Sequence, residues 1–271
     1  RQMCIRDRHY TGGFRMGKIV AIVNQKGGVG KTTTAVNLAA GVGLAGKTVL
    51  LVDADPQGNS TSGYGISKKE AKVTSYELLV GTGKLENAII KTDFQKVDII
   101  PSSMNLAAAE VDLIEMEHRE AQLKMALAAA RDKYDYIFID CPPSLGLITI
   151  NALNAADTVL VPIQCEYFAL EGLSQLMNTV RQVKRLYNPT IEIEGIVLTM
   201  FDGRLNLTVQ VITEIKKYFA DKLYKTTIPR TVRLSEAPSY GMPIQYYDKR
   251  SKGTDAYNAL AKEFIKKNRR K

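Results

Sequence analysis

A glycine-rich segment between two apolar patterns constrains this chain more than any other feature. It reads Lys26-Gly27-Gly28-Val29-Gly30-Lys31-Thr32-Thr33, and an apolar run at residues 19–23 leads directly into it. Apolar residues at helix-like spacing follow at positions 35–40. This order predicts a buried strand, then a loop, then a helix.

The loop has the residue types that bind phosphate. Its glycines let backbone N–H groups turn toward an anion without a Cβ in the way, and the following helix points the positive end of its dipole at the same place. We expect Lys31 to balance the charge of the outer phosphates and the Thr32 hydroxyl to hold Mg²⁺. The predicted nucleotide-binding set also contains Gly27, Gly28, Val29, Gly30 and Thr33.

The start of the loop departs from the usual phosphate-binding pattern. That pattern has a glycine five residues before Gly30, where this chain has Gln25, and a second lysine, Lys26, opens the loop instead. The alternative is a glycine-rich turn without a ligand. That alternative leaves unexplained why strand, loop, Lys-Thr pair and helix occur in the required order.

Two later apolar runs end in aspartate. Residues 47–53 end at Asp53, which is followed by Asp55, and residues 134–140 end at Asp140. Ligands of parallel α/β proteins bind at the carboxyl ends of strands, so these side chains are candidates for the same site. A solvated turn is the alternative for Asp53 and Asp55, and a helix cap for Asp140. We favour a metal-binding role for Asp140.

Composition narrows the class of protein. The chain has 271 residues, of which 45% are apolar, and this is enough for one sizeable core. The three cysteines form no C-x-x-C pair and have no zinc spacing, which favours a reducing compartment. We expect Cys141 and Cys165, which adjoin apolar runs, to be buried thiols. No apolar stretch is long enough to span a bilayer.

The formal charge of +9 suits a polyanionic partner, although charge alone is weak support. Residues 1–15 contribute +3 of it and lack the apolar region of a secretory signal. We expect them to be a non-native or disordered extension, and residues 16–271 to form a single domain.

Strands alternate with helices along the rest of the chain. Further strands are predicted at residues 97–100, 158–163, 194–199 and 225–228. Helices are predicted at residues 73–80, 85–90, 106–133 with one break, 169–187, 208–219 and 254–267, and a polar loop at 60–65. This alternation predicts an α/β fold with a doubly wound, mostly parallel sheet flanked by helices. Right-handed crossovers would place the glycine loop, Asp55 and Asp140 at one sheet edge.

With these residues in place, the chain resembles the ParA/MinD family of P-loop ATPases with the deviant Walker A motif K-G-G-x-G-K-[ST]. Within that family it is most similar to chromosomal Soj/ParA partition proteins. The resemblance extends from residue 16 to the C-terminal helix and rests on residues 24–34, 51–59, 139–144, 168–172 and 228–239.

The resemblance implies an ATP hydrolase that requires Mg²⁺. Lys26 would reach the phosphates of a partner subunit, which implies an ATP-dependent homodimer, and Lys31 would bind the nucleotide of its own subunit. Asp55 would position or activate the attacking water. Thr32, Asp53 and Asp140 would hold or support the metal, and Pro229 would lie near the adenine.

The resemblance also implies the partners. Members of the family bind double-stranded DNA without sequence preference and are released when a ParB-type protein stimulates hydrolysis. Arg204 and Arg233 resemble the arginines that contact DNA, against the alternative of ordinary surface arginines. The implied location is cytoplasmic and associated with the nucleoid, and the implied process is chromosome or plasmid partition.

Two other functions use similar loops. A MinD-like division-site ATPase would bind membrane through a C-terminal amphipathic helix, but we expect Leu260 and Phe264 to pack on the domain, which makes membrane binding a poor fit. A reductase resembling the nitrogenase iron protein would need exposed cysteine pairs for an iron–sulfur cluster. Cys141 and Cys165 are the only cysteines after residue 15, and neither lies in a glycine-rich loop.

Overall fold

The computed structural model describes residues 16–166 and 168–269. The predicted extension at residues 1–15 lies outside the described residues. The strands are β1 (Lys18–Ile22), β2 (Val49–Asp53), β3 (Ile90–Lys91), β4 (Val97–Ile100), β5 (Tyr136–Asp140), β6 (Thr158–Gln164) and β7 (Glu192–Thr199).

These strands form a seven-stranded sheet in the order β3-β4-β2-β5-β1-β6-β7. Every neighbouring pair is parallel except the edge pair β3 and β4. Strands β2 and β5 are buried at every residue, as expected for parallel strands covered on both faces. The predicted doubly wound, mostly parallel sheet is therefore confirmed.

Helices cover both faces of the sheet. They are α1 (Lys31–Leu44), α2 (Asn59–Gly63), α3 (Ser75–Leu79), α4 (Leu85–Ala88), α5 (Ala109–Asp112), α6 (Gln122–Leu127), α7 (Leu147–Ala155), α8 (Ala169–Leu186), α9 (Asn206–Phe219), α10 (Val232–Glu236), α11 (Ile244–Tyr247) and α12 (Lys252–Lys267). No helix among these described residues is long and apolar enough to cross a membrane.

Alternate residues of each strand enter two separate cores. Ile19 and Ala21 of β1 pack under the helices α6 to α9, whereas Val20 and Ile22 pack under α1 and α12. Leu260 and Phe264 of α12 are fully buried in the second core, and the Phe264 ring lies 5.4 Å from that of Phe138. The prediction that the C-terminal helix packs on the domain is confirmed.

The long helix predicted at residues 106–133 is broken more often than expected. It consists of the short helices α5 and α6 with 3-10 turns between and around them. Side chains of neighbouring segments satisfy the backbone at the main break. Asn151 of α7 donates to the carbonyl of Arg119 and accepts from the N–H of Leu123. These tertiary hydrogen bonds replace those of a continuous helix.

Two other local predictions were wrong. Residues 60–65 are not simply a polar loop, because most of them belong to α2. Residues 225–228 form no strand, and only isolated bridges at Leu223 and Pro229 occur on either side. The N–H groups of Lys225 and Thr226 both donate to the Glu263 carboxylate of α12, so they do not join a ladder.

Candidate functional site: a phosphate-binding loop beside buried carboxylates

The glycine loop leaves the sheet at the carboxyl end of β1, near its centre. Ile22 at this end is level with Asp140 of β5, and Asp140 is level with Asp53 of β2. Three neighbouring strands therefore place the loop, Asp53 and Asp140 at one edge of the sheet, as the sequence predicted. Ligands of open α/β sheets bind outside this edge.

The loop has the backbone shape that its glycines allow. Gly28 and Gly30 have φ angles of 74° and 84°, in the left-handed region that disfavours a side chain. Gly30 is the N-cap of α1, and no described side chain caps the first turn. The Thr199 hydroxyl of β7 donates to the Val29 carbonyl at 2.7 Å and ties the loop to the sheet. The helix thus presents uncapped N–H groups to an anion.

Lys31 is largely buried at the start of α1, with 7% of its surface exposed. Its Nζ donates to the Lys26 carbonyl at 3.1 Å, inside the curve of the loop. Burial lowers the pKa of Lys31, and the charges of Asp140 and Asp55 oppose that shift. The Lys31 side chain therefore contacts the loop and lies within the electrostatic range of both carboxylates.

Asp53 is fully buried, and protein donors occupy both of its carboxylate oxygens. Oδ2 accepts from the backbone N–H and the hydroxyl of Thr61, each at 2.7 Å, and Oδ1 accepts from the N–H of Asp55 at 3.2 Å. Burial raises the pKa of Asp53 to about 6, although the Thr61 hydrogen bonds act in the opposite direction. These contacts hold the turn after β2 in place.

Asp140 is also fully buried, but only one of its oxygens has a protein partner that meets hydrogen-bond geometry. Oδ2 accepts from the Ser60 hydroxyl at 2.8 Å, and Oδ1 has no partner among the described residues. Burial, followed by the charge of Asp53, raises the pKa of Asp140 to about 7, while Ser60 and the nearby Thr32 lower it. A buried carboxylate oxygen without a partner suits a metal ion or its bound water.

The protein alone offers an incomplete metal site. Within residues 16–166 and 168–269, no group of three or more His, Cys, Asp or Glu side chains could hold an ion. Mg²⁺ commonly takes one or two protein oxygens together with substrate phosphates and water. Thr32 and Asp140, next to a phosphate-binding loop, fit that kind of site.

Asp55 follows β2 at the same edge and is 8% exposed. Its Oδ1 accepts from the N–H of Gln57 at 2.9 Å, so the side chain is fixed within its own turn. The negative charge of Asp55 acts to raise the pKa of both Lys31 and Asp140. The structure thus brings the predicted residues Lys31, Asp55 and Asp140 together.

The second loop lysine, Lys26, contacts its own subunit. Its backbone N–H donates to Asn24 Oδ1 at 2.9 Å, and its ammonium forms an ion pair with Glu166. The Asn24 side chain in turn donates to the Pro162 carbonyl of β6 at 2.7 Å. Lys26 is therefore placed beside the end of β6.

Pro229 lines a cavity of about 260 Å³ next to the loop. Gly30 and Thr33 form one side of this cavity, and Thr199, Tyr257 and the segment after Pro229 form others. The cavity lies where a group attached to the bound phosphates could extend. The prediction that Pro229 lies near adenine is compatible with this placement and remains a prediction.

Arg204 and Arg233 come from segments that the fold joins. Phe201 forms a bridge with Pro229, and each arginine lies three or four residues beyond one of these two positions. Arg204 forms a bidentate ion pair with Asp202. Arg233 forms ion pairs with Glu236 at 3.0 Å and with Asp248 at 3.5 Å. Both side chains are exposed, and acidic neighbours already hold them.

Several residues of the site carried no signal in the sequence. They are Ser60, Thr61, Glu166 and Thr199. Each acts through a hydrogen bond or ion pair with a residue far away in the chain or in another element. Asn24 lay within the segment on which the resemblance rests, but its hydrogen bonds with Lys26 and Pro162 were not predicted. Only the preference of Ser and Thr for helix starts could have drawn attention to Ser60 and Thr61.

Comparison with known proteins gives the family of the chain. The AAA domain family matches residues 17–193. The sporulation initiation inhibitor protein Soj of Bacillus subtilis is 59% identical over 248 residues, which cover 92% of this chain and 98% of that protein. The chain belongs to the Soj/ParA family. The chromosome partitioning protein ParA of Myxococcus xanthus is 49% identical and covers 96% of this chain and 92% of its own length.

Solved structures of similar fold hold nucleotide. Cobyrinic acid a,c-diamide synthase from Mycobacterium smegmatis, with bound ADP and magnesium, has a TM-score of 0.79 and 34% identity over 93% of this chain and 95% of that chain. A plasmid partition protein from Borrelia burgdorferi, bound to AMPPNP, has a TM-score of 0.78 and 31% identity over 93% and 99%. The family resemblance predicted from the motifs is confirmed.

Proposed function

We propose that this Soj/ParA family member is a Mg²⁺-dependent ATPase that dimerises when it binds ATP, binds DNA without sequence preference, and drives chromosome or plasmid partition. A ParB-type protein would stimulate its hydrolysis, and its location would be cytoplasmic, on the nucleoid. The observation that carries the proposal is that the glycine loop and the uncapped start of α1 follow β1 at the sheet edge where Ile22 is level with Asp140, and Asp140 with Asp53.

Different residues of the chain bind the phosphates, hold the metal and orient the water in ATP hydrolysis. Residues 27–33 bind the phosphates through backbone N–H groups, and Lys31 neutralises the outer phosphates. Thr32 and Asp140 hold Mg²⁺, which supplies additional positive charge when bound, and Asp53 supports it through the turn at Thr61. Asp55 orients the attacking water. Hydrolysis of this kind depends on positioning and charge neutralisation more than on covalent chemistry.

The proposed contact of Lys26 with the partner's nucleotide explains why dimerisation depends on ATP. In this proposal the Lys26 ammonium leaves its own subunit and contacts the phosphates bound by the partner. Each site is then complete only when two subunits meet. Nucleotide binding and dimerisation are coupled because each adds contacts that the other needs.

DNA binding follows from charge rather than from base recognition. The chain has a surplus of positive charge, and Arg204 and Arg233 lie on segments that the Phe201–Pro229 bridge brings together. Contacts to phosphates are independent of sequence and weaken steeply as salt is added. A dimer presents two such surfaces to one duplex, so ATP strengthens binding.

The structure favours this proposal over a membrane-binding, MinD-like function. Leu260 and Phe264 are the apolar residues that a membrane-binding helix would use, and both are fully buried in the core. Inserting them into lipid would require α12 to leave the domain. Binding to anionic liposomes but not to DNA would support the MinD-like function instead.

DNA binding in three nucleotide states tests the proposal. Random-sequence duplex DNA is sedimented with the protein in ATP, in ADP and without nucleotide, each with Mg²⁺. We expect DNA to retain the protein strongly only with ATP, and light scattering to show a dimer in the same condition. Equal DNA binding in all three states contradicts the proposal.

A further inference from the structure

We propose that Glu166 is a positioning residue that holds Lys26 within its own subunit, so that the Lys26–Glu166 ion pair opposes ATP-dependent dimerisation. The inference rests on the proposed function, because it concerns the lysine that would cross to the partner. It assigns a role to a residue outside the predicted nucleotide-binding set.

The backbone of Lys26 is held by buried hydrogen bonds, whereas its ammonium is held only by a partly exposed ion pair. Asn24 is 5% exposed and joins the Lys26 N–H to the Pro162 carbonyl of β6 through two hydrogen bonds of 2.9 and 2.7 Å. The Lys26 side chain is 35% exposed and ends at the Glu166 carboxylate. The long stem can therefore turn to a new partner while the loop keeps its shape.

Glu166 is presented from the same side of the sheet. It lies two residues after the end of β6, and its carbonyl accepts from the N–H of Ala169, the first residue of α8, at 3.0 Å. Its carboxylate is 43% exposed. Asn24 and Glu166 thus hold the backbone and the ammonium of Lys26 against the β6–α8 connection.

The ion pair and the contact with a partner compete for one ammonium. A triphosphate carries more negative charge than one carboxylate, and it repels Glu166 if both remain at Lys26. The pair must therefore open before Lys26 can reach across. A pair of this exposure contributes up to about fivefold in an equilibrium constant. Since a dimer uses two such lysines, removing both pairs should tighten dimerisation by about 2- to 25-fold.

Zero-length cross-linking tests the contact without requiring a dimer. A carbodiimide joins a lysine amine to a carboxylate only when the two groups touch. In nucleotide-free protein we expect mass spectrometry to find a Lys26–Glu166 cross-linked peptide, which AMPPNP with Mg²⁺ should reduce. If the Lys26–Glu166 cross-linked peptide is absent from nucleotide-free protein, the inference is overturned, even if ATP-dependent dimerisation is confirmed.

Dimerisation of variants tests the consequence. We expect Glu166→Gln to dimerise at 2- to 25-fold lower protein concentration in AMPPNP, on the order given by surface ion pairs. Glu166→Asp, which keeps the charge, should fall between Glu166→Gln and wild type. Glu171→Gln, an exposed carboxylate in the first turn of α8, is the matched control and should behave as wild type.

A double variant separates this effect from a general change in the surface. In the Lys26→Ala background, which should form no dimer, Glu166→Gln should not restore one, because Glu166 acts only through Lys26, whereas a general effect of surface charge would restore some assembly. Weaker dimerisation of Glu166→Gln would show that Glu166 helps the dimer and would overturn the inference. If no variant dimerises with nucleotide, the proposed dimer fails, and the cross-link still reports whether Glu166 holds Lys26.

Discussion

Asp53 and Asp140 lie directly opposite one another in the parallel strands β2 and β5, and both side chains are fully buried. Burial is the main cause that raises the pKa of each, to about 6 for Asp53 and about 7 for Asp140. The negative charge of Asp53 raises the pKa of Asp140 further. Two buried like charges at one sheet edge favour a cation there.

This pair predicts how stability depends on pH when no metal is present. The folded-state pKa values lie above the ordinary value of 3.8, so the folded protein keeps protons that the unfolded chain releases. The stabilising contribution is greatest near pH 4 and is lost as the pH rises through 6 and 7. We expect Asp140→Asn to raise the free energy of unfolding at pH 8 by on the order of 1 to 3 kcal/mol.

Urea unfolding in EDTA at pH 5 and pH 8 measures this effect. The gain from Asp140→Asn should be smaller at pH 5, because wild-type Asp140 already holds its proton there. Asp132→Asn, at an exposed position, is the control and should change neither value. An equal gain at both pH values would contradict the prediction.

Lys31→Ala should abolish nucleotide binding. The variant removes the charge that balances the outer phosphates, together with the contact of Lys31 Nζ with the Lys26 carbonyl. We expect fluorescent ATP to lose at least about 100-fold in affinity, as for a lost buried charge contact of about 3 kcal/mol. Lys124→Ala, an exposed lysine on α6, is the control. Normal affinity in Lys31→Ala would show that the loop assignment is wrong.

Lys26→Ala should separate nucleotide binding from assembly. ATP should still bind, because Lys31 and the uncapped helix start remain in place. The dimer should not form, because the contact with the partner's phosphates is missing. Fluorescent ATP binding and light scattering on the same sample measure the two properties, and an ATP-dependent dimer of normal stability would refute the crossing role.

Asp55→Ala should dimerise and bind DNA but hydrolyse ATP at least about 100-fold more slowly, the usual effect of losing a residue that orients or activates water. Asp55→Asn is an informative second variant, because its amide oxygen can still accept from the Gln57 N–H. Slow hydrolysis in both variants assigns the effect to the carboxylate charge. Phosphate release, with and without a ParB-type partner, is the measurement, and wild-type turnover would exclude this role for Asp55.

Arg233→Ala and Arg233→Glu should remove most DNA binding while ATP binding and dimerisation persist. Glutamate would also face Glu236 and Asp248, so alanine is the cleaner variant. Arg204→Glu should act in the same direction. Arg185→Glu, at the exposed end of α8, controls for net charge.

Co-sedimentation with random-sequence DNA across a salt series, with ATP present, measures these effects. Loss of a phosphate contact should weaken binding and flatten its dependence on salt. If Arg233→Ala binds as tightly as wild type with the same salt dependence, the basic residues 262–271 become the better candidate for the DNA surface.

Tertiary structure decided the details that local patterns do not carry. Glu110 of α5 accepts from the N–H groups of Leu147 and Ile148 at the start of α7, and Asn151 of α7 satisfies the break at residues 119–123. The periodic apolar pattern predicted one break, but neither its position nor the 3-10 turns that divide this segment further. The cause of the break is hydrogen bonding between segments that are distant in the chain.

The amino-acid sequence by itself determined the mostly parallel central strands, the glycine loop, and the presence of Lys31, Asp53, Asp55 and Asp140 at one edge. These features are local, because buried parallel strands are continuous apolar runs, left-handed turns need glycine, and parallel strands end together. Only the fold decided that Asp140 keeps one oxygen without a partner among the described residues, and that Lys26 meets Glu166 from 140 residues away. Such contacts depend on which strands become neighbours, and no local spacing specifies them.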